Sequence, residues 1–499
     1  MSKVKNITLD IKDFSKGLNL SDAENISDLS YNVSCYNFDF KSGALVEGVG
    51  FEGLTHPQST SYGATECQFK QSIAADSDFV DMWVFRRYTT STRSRQDTLM
   101  FRLADTQIFC ADLVCRFCVP IPINDLKVTG DIYAKNIRMY DINTILMSSN
   151  KEGVYTYNGE SKFVLRSSMP TIIDLCYHKD KVFIIEALKK QFVRYSTNTK
   201  IEEMTKTLTE NEGIISFDDD MGEVEKLISQ YGYLFLIREY GVTKVTTYEN
   251  SKEFNISNIY ASGTKVYCKT VCCCGDSIVM LTRNGLYEFN ANKCEKINTK
   301  LNDFLSKITN DKAIACFRNG VYYISCRIDF NDGKKIGCEN EDDYINNVFI
   351  CYNVIDKTYS INRGIDVSQL LTVQSESFDK VVAMFGSRYK RILGQLSNSG
   401  SFFDETNERY WCSPLSDLGY SDKMKYVRYL SLLSSYDCSV TVFTEKTSKT
   451  FNVKGSKLLT KIPVNVKGKQ IGIKITTNSK KAYISNLKLS IDLLDSLYQ

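Results

Sequence analysis

From residue 79 onward the chain repeats one pattern: an apolar run, a short polar turn carrying Asn or Gly, then a run in which aromatic and polar residues alternate. Residues 79–86 (FVDMWVFR) and 98–103 (TLMFRL) read as paired strands, followed by 107–110. The segment 139–147 precedes 153–157 (GVYTY), 175–185 precedes 191–195, and 231–238 precedes 241–246. Likewise 277–282 precedes 285–289 (GLYEF) and 313–318 precedes 320–325, with 348–353, 358–362, 378–385 and 391–396 beyond. Alternation over such short lengths, bounded by turn residues, is a strand signal.

The glycine-led strands set a period. Gly241 and Gly285 lie 44 residues apart, Gly153 and Gly241 lie 88 apart, and Gly285 and Gly320 lie 35 apart. A repeat of this length with several strands per unit points to a β-propeller, whose small sheets bury their faces against one another around an axis. The pattern predicts six or seven irregular blades over 56–408. Helix is scarce: 302–307 reads as one short helix, and the charged stretch 200–211 as an exposed insertion.

Both ends of the chain differ from this core. The stretch 17–51 is a string of turn residues with two short β pieces, 36–40 and 44–47, joined at Lys41-Ser42-Gly43, a hairpin signal. One of these pieces is expected to pair with a late strand and close the propeller, which makes 1–55 an N-terminal arm. Over 409–499, strands at 426–433, 439–445, 449–453, 461–466, 470–476 and 482–492 recur about every ten residues, which predicts a β-sandwich. The expected fold is therefore all-β: an irregular six- to seven-bladed β-propeller with a C-terminal β-sandwich.

Composition agrees with that class. The chain has 499 residues, 30 Tyr and 27 Phe but only 6 Pro, and aromatic residues suit pleated, half-buried surfaces. A net charge of +3 argues against a nucleic-acid face over the whole chain. The local basic runs Arg86-Arg87 and 388–391 read as solvated strand edges. The 17 cysteines, many set singly in apolar strands, and an N-terminus without an apolar core read as a protein made in a reducing cytoplasm. No apolar window is long enough for a helical membrane span.

Little in the sequence points to catalysis. His56 and His178 are the only histidines, and both read as exposed loop or turn residues. Cys272, Cys273 and Cys274 are adjacent on an expected strand, so with Cys268 they cannot converge on a metal. Asp218, Asp219 and Asp220, and the acidic loop 339–343, lack the ligand spacing of a calcium loop and read as solvated. No catalytic, cofactor-binding or metal residues are expected, and the chain is read as a non-enzyme.

The ends carry motifs that resemble a family. Gly17-Leu18-Asn19, then Asn37 and Asp39, Gly43 and Leu45, and Gly48, Gly50 and Phe51 match in order the N-terminal signature of bacteriophage tail nozzle and tail-hub proteins, of the tail tubular protein B and phage stabilisation protein type. The doubled glycine of that signature is Gly17-Leu18 here, and its arginine is Glu47 or Val49. Asp417-Leu418-Gly419 with Lys423 and Lys425 resembles the C-terminal β-sandwich of the same family. The resemblance implies a structural virion protein, located in the tail and synthesised in the host cytoplasm. It implies a homo-oligomeric ring, usually a hexamer, through which double-stranded DNA passes during ejection. The implied partners are a tail adaptor protein and tail fibre or needle proteins. A propeller-type glycan-binding protein or glycoside hydrolase is the alternative.

Overall fold

The structure, a computed structural model, describes residues 5–18, 20, 27–55, 77–89, 93–104, 107–112, 119–160, 163–210, 212–248, 254–330, 343–374, 379–403 and 405–494. Among them, seven four-stranded antiparallel sheets follow one another along the chain. Six are contiguous, over 79–127, 132–165, 172–216, 224–261, 272–297 and 314–363. The seventh joins Val367–Gln374, Asp379–Phe385 and Leu393–Ser397 to a strand from far upstream, Gly50–Thr55.

Tight turns within the sheets hide strand breaks from the sequence pattern. The apolar run 139–147 crosses from Ile132–Met139 into Ile142–Ser149, and 175–185 crosses from Ile172–His178 into Lys181–Glu186. The first of these turns is Tyr140-Asp141, both left-handed (φ 47° and 62°) with no glycine to mark it. Gly153, Gly241 and Gly285 each open the third strand of a sheet, so the 44- and 88-residue intervals compare like with like. Gly320 instead lies in the turn before a second strand, Val321–Cys326, which explains the shorter interval. The stretch 302–307 holds a short helix, Asn302–Leu305. The stretch 200–211 is not a wholly exposed insertion: Ile201 and Met204 are 1% exposed and pack among the second and third sheets.

Except between the fourth and fifth sheets, the first strands of neighbouring sheets lie against one another, and that of the seventh lies against that of the first. The fourth and fifth share a core through Ile228, Val271 and Ile278. Among the described residues no backbone ladder spans these gaps, only single bonds such as that from the Phe79 N–H to the Lys390 carbonyl (2.9 Å), and side chains bridge them. Gln369 accepts from the Met82 N–H (2.8 Å) and donates to Asp81 (3.1 Å). Asn136 accepts from the Arg86 N–H and donates to the Val84 carbonyl, both at 2.7 Å. Asp174 accepts from the Leu227 N–H, and Lys226 donates to the Val271 carbonyl, each at 2.6 Å. Four first strands shift register by one residue immediately before Gln369, Asp81, Asp174 and Lys226. A bulge re-aims the next side chain, and here it turns a polar group sideways toward the adjoining sheet.

The remaining strands form a two-layer body. One sheet runs in the order Phe38–Lys41, Ala44–Glu47, Tyr483–Leu494, Met424–Ser434, Thr460–Gly468, with Lys5–Ile11 also paired to Tyr483–Leu494. The other runs Ser34–Tyr36, Arg409–Cys412, Ile471–Thr477, Cys438–Thr444, Ser448–Val453. Between them lies one core containing Trp411, Val440, Ile473 and Leu489 together with Ile11, Phe38 and Leu45. All six C-terminal strands expected from the sequence are present.

The arm pairs with late strands, but the pieces at 36–40 and 44–47 do not close the ring of sheets. They belong to the two-layer body, because Cys35, Phe38 and Leu45 all face its core. Closure falls to Gly50–Thr55. Phe51 is 1% exposed and meets Phe349, Phe385 and Phe402 edge-on, with centroids 5.3, 5.2 and 6.2 Å away. The basic run 388–391 helps rather than lying free: Lys390 and Arg391 pair with Asp78 at 2.7 and 3.0 Å, across the junction of seventh and first sheets. Truncating a buried phenylalanine costs about 3–5 kcal/mol. Phe51→Ala should therefore shift the denaturant midpoint strongly, while Ile355→Ala, at a side chain 79% exposed, should change stability by less than about 0.5 kcal/mol.

Candidate functional site

Most of the N-terminal residues singled out by sequence gather at the seam between the ring of sheets and the two-layer body. Asn37 sits at its centre, left-handed (φ 62°) and buried. Asparagine tolerates that backbone, and here all its polar groups are used. Its N–H donates to the Ile361 carbonyl (2.8 Å), and its Oδ1 accepts from the Arg363 N–H (2.9 Å), extending the free edge of the sixth sheet. Its Nδ2 donates to the Glu408 carbonyl (2.8 Å), where the chain enters the two-layer body. Its carbonyl accepts from the Gly48 N–H (3.0 Å). The neighbouring Arg363 guanidinium lies 3.7 Å from the centroid of Phe330 and 5.4 Å from that of Tyr36, a stacked cation in a dry setting.

The other signature positions serve the same frame. Beside Gly17, the Leu18 N–H donates to the Tyr359 hydroxyl (2.8 Å) of the sixth sheet. Ser42 and Gly43 form a two-residue turn with both φ positive, whose Gly43 carbonyl accepts from the Phe14 N–H (3.0 Å), and Leu45 is fully buried. Burial pushes the Asp39 carboxyl up, against the bond it accepts from the Phe40 N–H. Gly48 faces the Asn362 side chain and Gly50 the Ser401 backbone, with no room for a Cβ at either. Asn19 lies outside the described residues.

The second motif is a buried lysine cage. Lys425 is fully buried, and its ammonium donates to the carbonyls of Tyr420 (2.6 Å), Lys423 (3.1 Å) and Lys469 (2.6 Å), which exhausts its three donors. Burial lowers its pKa, opposed by Asp417. The Asp417 carboxylate in turn accepts from the Gly419 N–H (2.8 Å) in a turn where Leu418 and Gly419 both have positive φ. The motif locks one end of the two-layer body.

His178 is not an exposed turn residue. It is 2% exposed, because the fourth sheet covers the end of its strand, and its Nδ1 lies 2.8 Å from the Ser229 hydroxyl. Burial, aided by Lys179, lowers its pKa to about 4. Asp219 is likewise more than a solvated carboxylate: it pairs with the fully buried Arg238 (2.8 Å), whose guanidinium covers Phe217. Cys273 is exposed and Cys274 buried, as strand alternation requires, and the described residues contain no cluster able to hold a metal. His56 and most of the loop 339–343 lie outside the described residues. No helix among the described residues is long and apolar enough to cross a membrane.

A cleft of about 560 Å³ opens where turns of the fourth, fifth and sixth sheets meet. Tyr240, Lys265, Tyr267, Arg283, Asn310 and Asp311 line it. Several of these are already committed: Lys265 lies 3.3 Å from Glu239, and Asn310 donates to the Ile345 carbonyl at 2.8 Å. The cleft's members are spread from 240 to 311, and no sequence motif marks them.

No family model and no curated protein matches the chain. Among solved structures it is similar to the extracellular domain of a putative hybrid two-component system from B. thetaiotaomicron, at 11% identity and TM-score 0.43 over 94% of this chain and 64% of that one. It is similar to BamB from Moraxella catarrhalis at 8% identity and TM-score 0.33, over 64% of this chain and 97% of that one. Similarity to Chaetomium thermophilum Raptor is at 10% identity and TM-score 0.37, over 66% of this chain and 30% of that one. The chain thus spans under two thirds of that extracellular domain and under a third of Raptor. At these TM-scores the likenesses carry no argument about what the chain does.

Two outcomes follow. Asn37→Ala leaves buried partners unpaired and puts alanine in a left-handed position, so it should cost about 3 kcal/mol in denaturant unfolding; a loss under about 1 kcal/mol would remove Asn37 from the seam's essential contacts. His178 is held neutral in the folded state, so the unfolded chain takes up its proton first as pH falls. Stability should be level above pH 7 and decline as pH drops from about 6.5 toward 4, by at most about 3 kcal/mol. In His178→Gln the decline between about pH 6.5 and 5 should disappear from thermal melts.

Proposed function

We propose that this chain is a structural virion protein of a tailed bacteriophage, of the tail nozzle or hub type. In this reading the ring of sheets is a seven-bladed β-propeller, the two-layer body its β-sandwich, and several copies assemble around a channel for double-stranded DNA. The observation that carries the reading is the fate of the signature residues. Asn37, Gly48, Gly50, Asp417, Gly419 and Lys425 are spent on holding two bodies together and on shaping turns, not on lining a cleft. A protein whose motif residues maintain a frame suits a load-carrying part of an assembly. The resemblance supplies six copies, a tail adaptor on one side and fibres or needle on the other. Closed cyclic assembly needs a heterologous interface between unlike faces, which an asymmetric pair of bodies provides.

The cleft lined by Tyr240 and Tyr267 favours a second reading, a glycan-binding propeller, since a ring face beside polar groups suits a sugar. Native mass spectrometry and electron microscopy of the full chain separate the two. The first reading predicts closed oligomers in multiples of 56.8 kDa. A monomer at all concentrations that is retained on a glycan array would overturn it in favour of the second.

A further inference from the structure

Positive charge is unevenly placed along the chain. Residues 409–499 carry 15 Lys and Arg against 6 Asp and Glu, although the whole chain is only +3. Much of the excess lies on one wall of the two-layer body. Ser448–Val453 and Thr460–Gly468 are the outer strands of its two sheets, and they lie beside each other, opposite the edges that meet the sixth sheet. Lys446, Lys449, Lys454, Lys457, Lys461 and Lys469 are exposed along that wall. The carboxylates among them are engaged: Glu445 accepts from the Lys469 and Gln470 N–H groups, and Asp437 accepts from the Gly455 N–H and pairs with Lys454.

Lysines on sheet edges discourage edge-to-edge pairing, and that accounts for the charge alone. It does not account for the loop joining the two strands. Leu458 and Leu459 are 77% and 52% exposed there, between Lys457 and Lys461. The loop is pinned: the Gly455 N–H donates to Asp437 (2.8 Å), the Ser456 N–H to the Ser434 carbonyl (2.7 Å), and the Leu458 N–H to the Ser456 hydroxyl (3.0 Å). Two leucine side chains are thus held out into solvent by a fixed backbone in a field of lysines.

We propose that this wall is a docking surface for an anionic lipid bilayer, with Leu458 and Leu459 entering the acyl boundary and the lysines meeting headgroup phosphates. A nucleic-acid backbone would reward the cations but gain nothing from the leucines, whereas a bilayer rewards both. The surface is independent of whether the chain assembles into rings.

Co-sedimentation of the full chain with phosphatidylcholine vesicles, with and without phosphatidylglycerol, tests this. Binding is expected only when phosphatidylglycerol is present. The pair K457E and K461E should weaken it by about tenfold or more, at several-fold per lysine near an anionic surface. The pair L458D and L459D should weaken it by a similar factor while leaving the melting temperature unchanged. Leu458→Trp alone should show a blue-shifted emission on vesicle addition, a reading that does not depend on the aspartate variants folding. Binding indifferent to phosphatidylglycerol, aspartate variants that fold and bind as well as the parent, or no shift from the tryptophan would each overturn the proposal. So would retention of duplex DNA by a chain that ignores the vesicles.

Discussion

Sheets arranged around an axis bury their faces against their neighbours but share no backbone ladder with them. Each gap must be held by packing and side chains, and the last sheet needs a strand that its own stretch of chain does not supply. Here Gly50–Thr55 fills that place, 338 residues upstream of the strand it joins at Leu393. Because the same arm has already passed through the two-layer body as Ser34–Tyr36, Phe38–Lys41 and Ala44–Glu47, closing the ring also fastens the second body to it. Asn37 marks the point where the arm turns between these tasks. Its left-handed backbone changes the direction of the strand, and its side chain completes the edge of the sixth sheet.

Polar side chains do a related job between sheets. A bulge in four of the first strands sets Gln369, Asp81, Asp174 and Lys226 out of register with the apolar residues around them. Each satisfies a backbone group or partner across the gap, where an unpaired buried group would cost about 1–3 kcal/mol. The bridges therefore select one lateral spacing, which apolar packing alone leaves loose.

Much of this frame was legible in the sequence, for identifiable reasons. Second strands are buried along most of their length and third strands such as Gly153–Tyr157 bury every other residue, so they stand out as apolar or alternating runs; Leu234–Ile237 and Ile278–Leu281 are wholly buried. Outer strands such as 79–86 and 313–318 were legible, but those that water reaches most were missed: Asn255–Ala261 and Val164–Leu165 are largely exposed and carry no period. The arm's motifs were visible, but their partners were not, since Tyr359, Arg363 and Glu408 are more than 300 residues away and ordinary in composition. His178 was misread because its turn is polar, and only the neighbouring sheet buries it. The cleft and the lysine wall depend on elements brought together by the fold, which local pattern does not encode.

The central claim is that one arm couples ring and two-layer body into a single cooperative unit. Hydrogen exchange across a denaturant series, read peptide by peptide, tests it most directly. The account predicts that protection over 50–55, 393–397, 361–363 and 483–494 is lost together, in one transition. Separate loss of the 483–494 peptides, with 50–55 and 393–397 still protected, would contradict it.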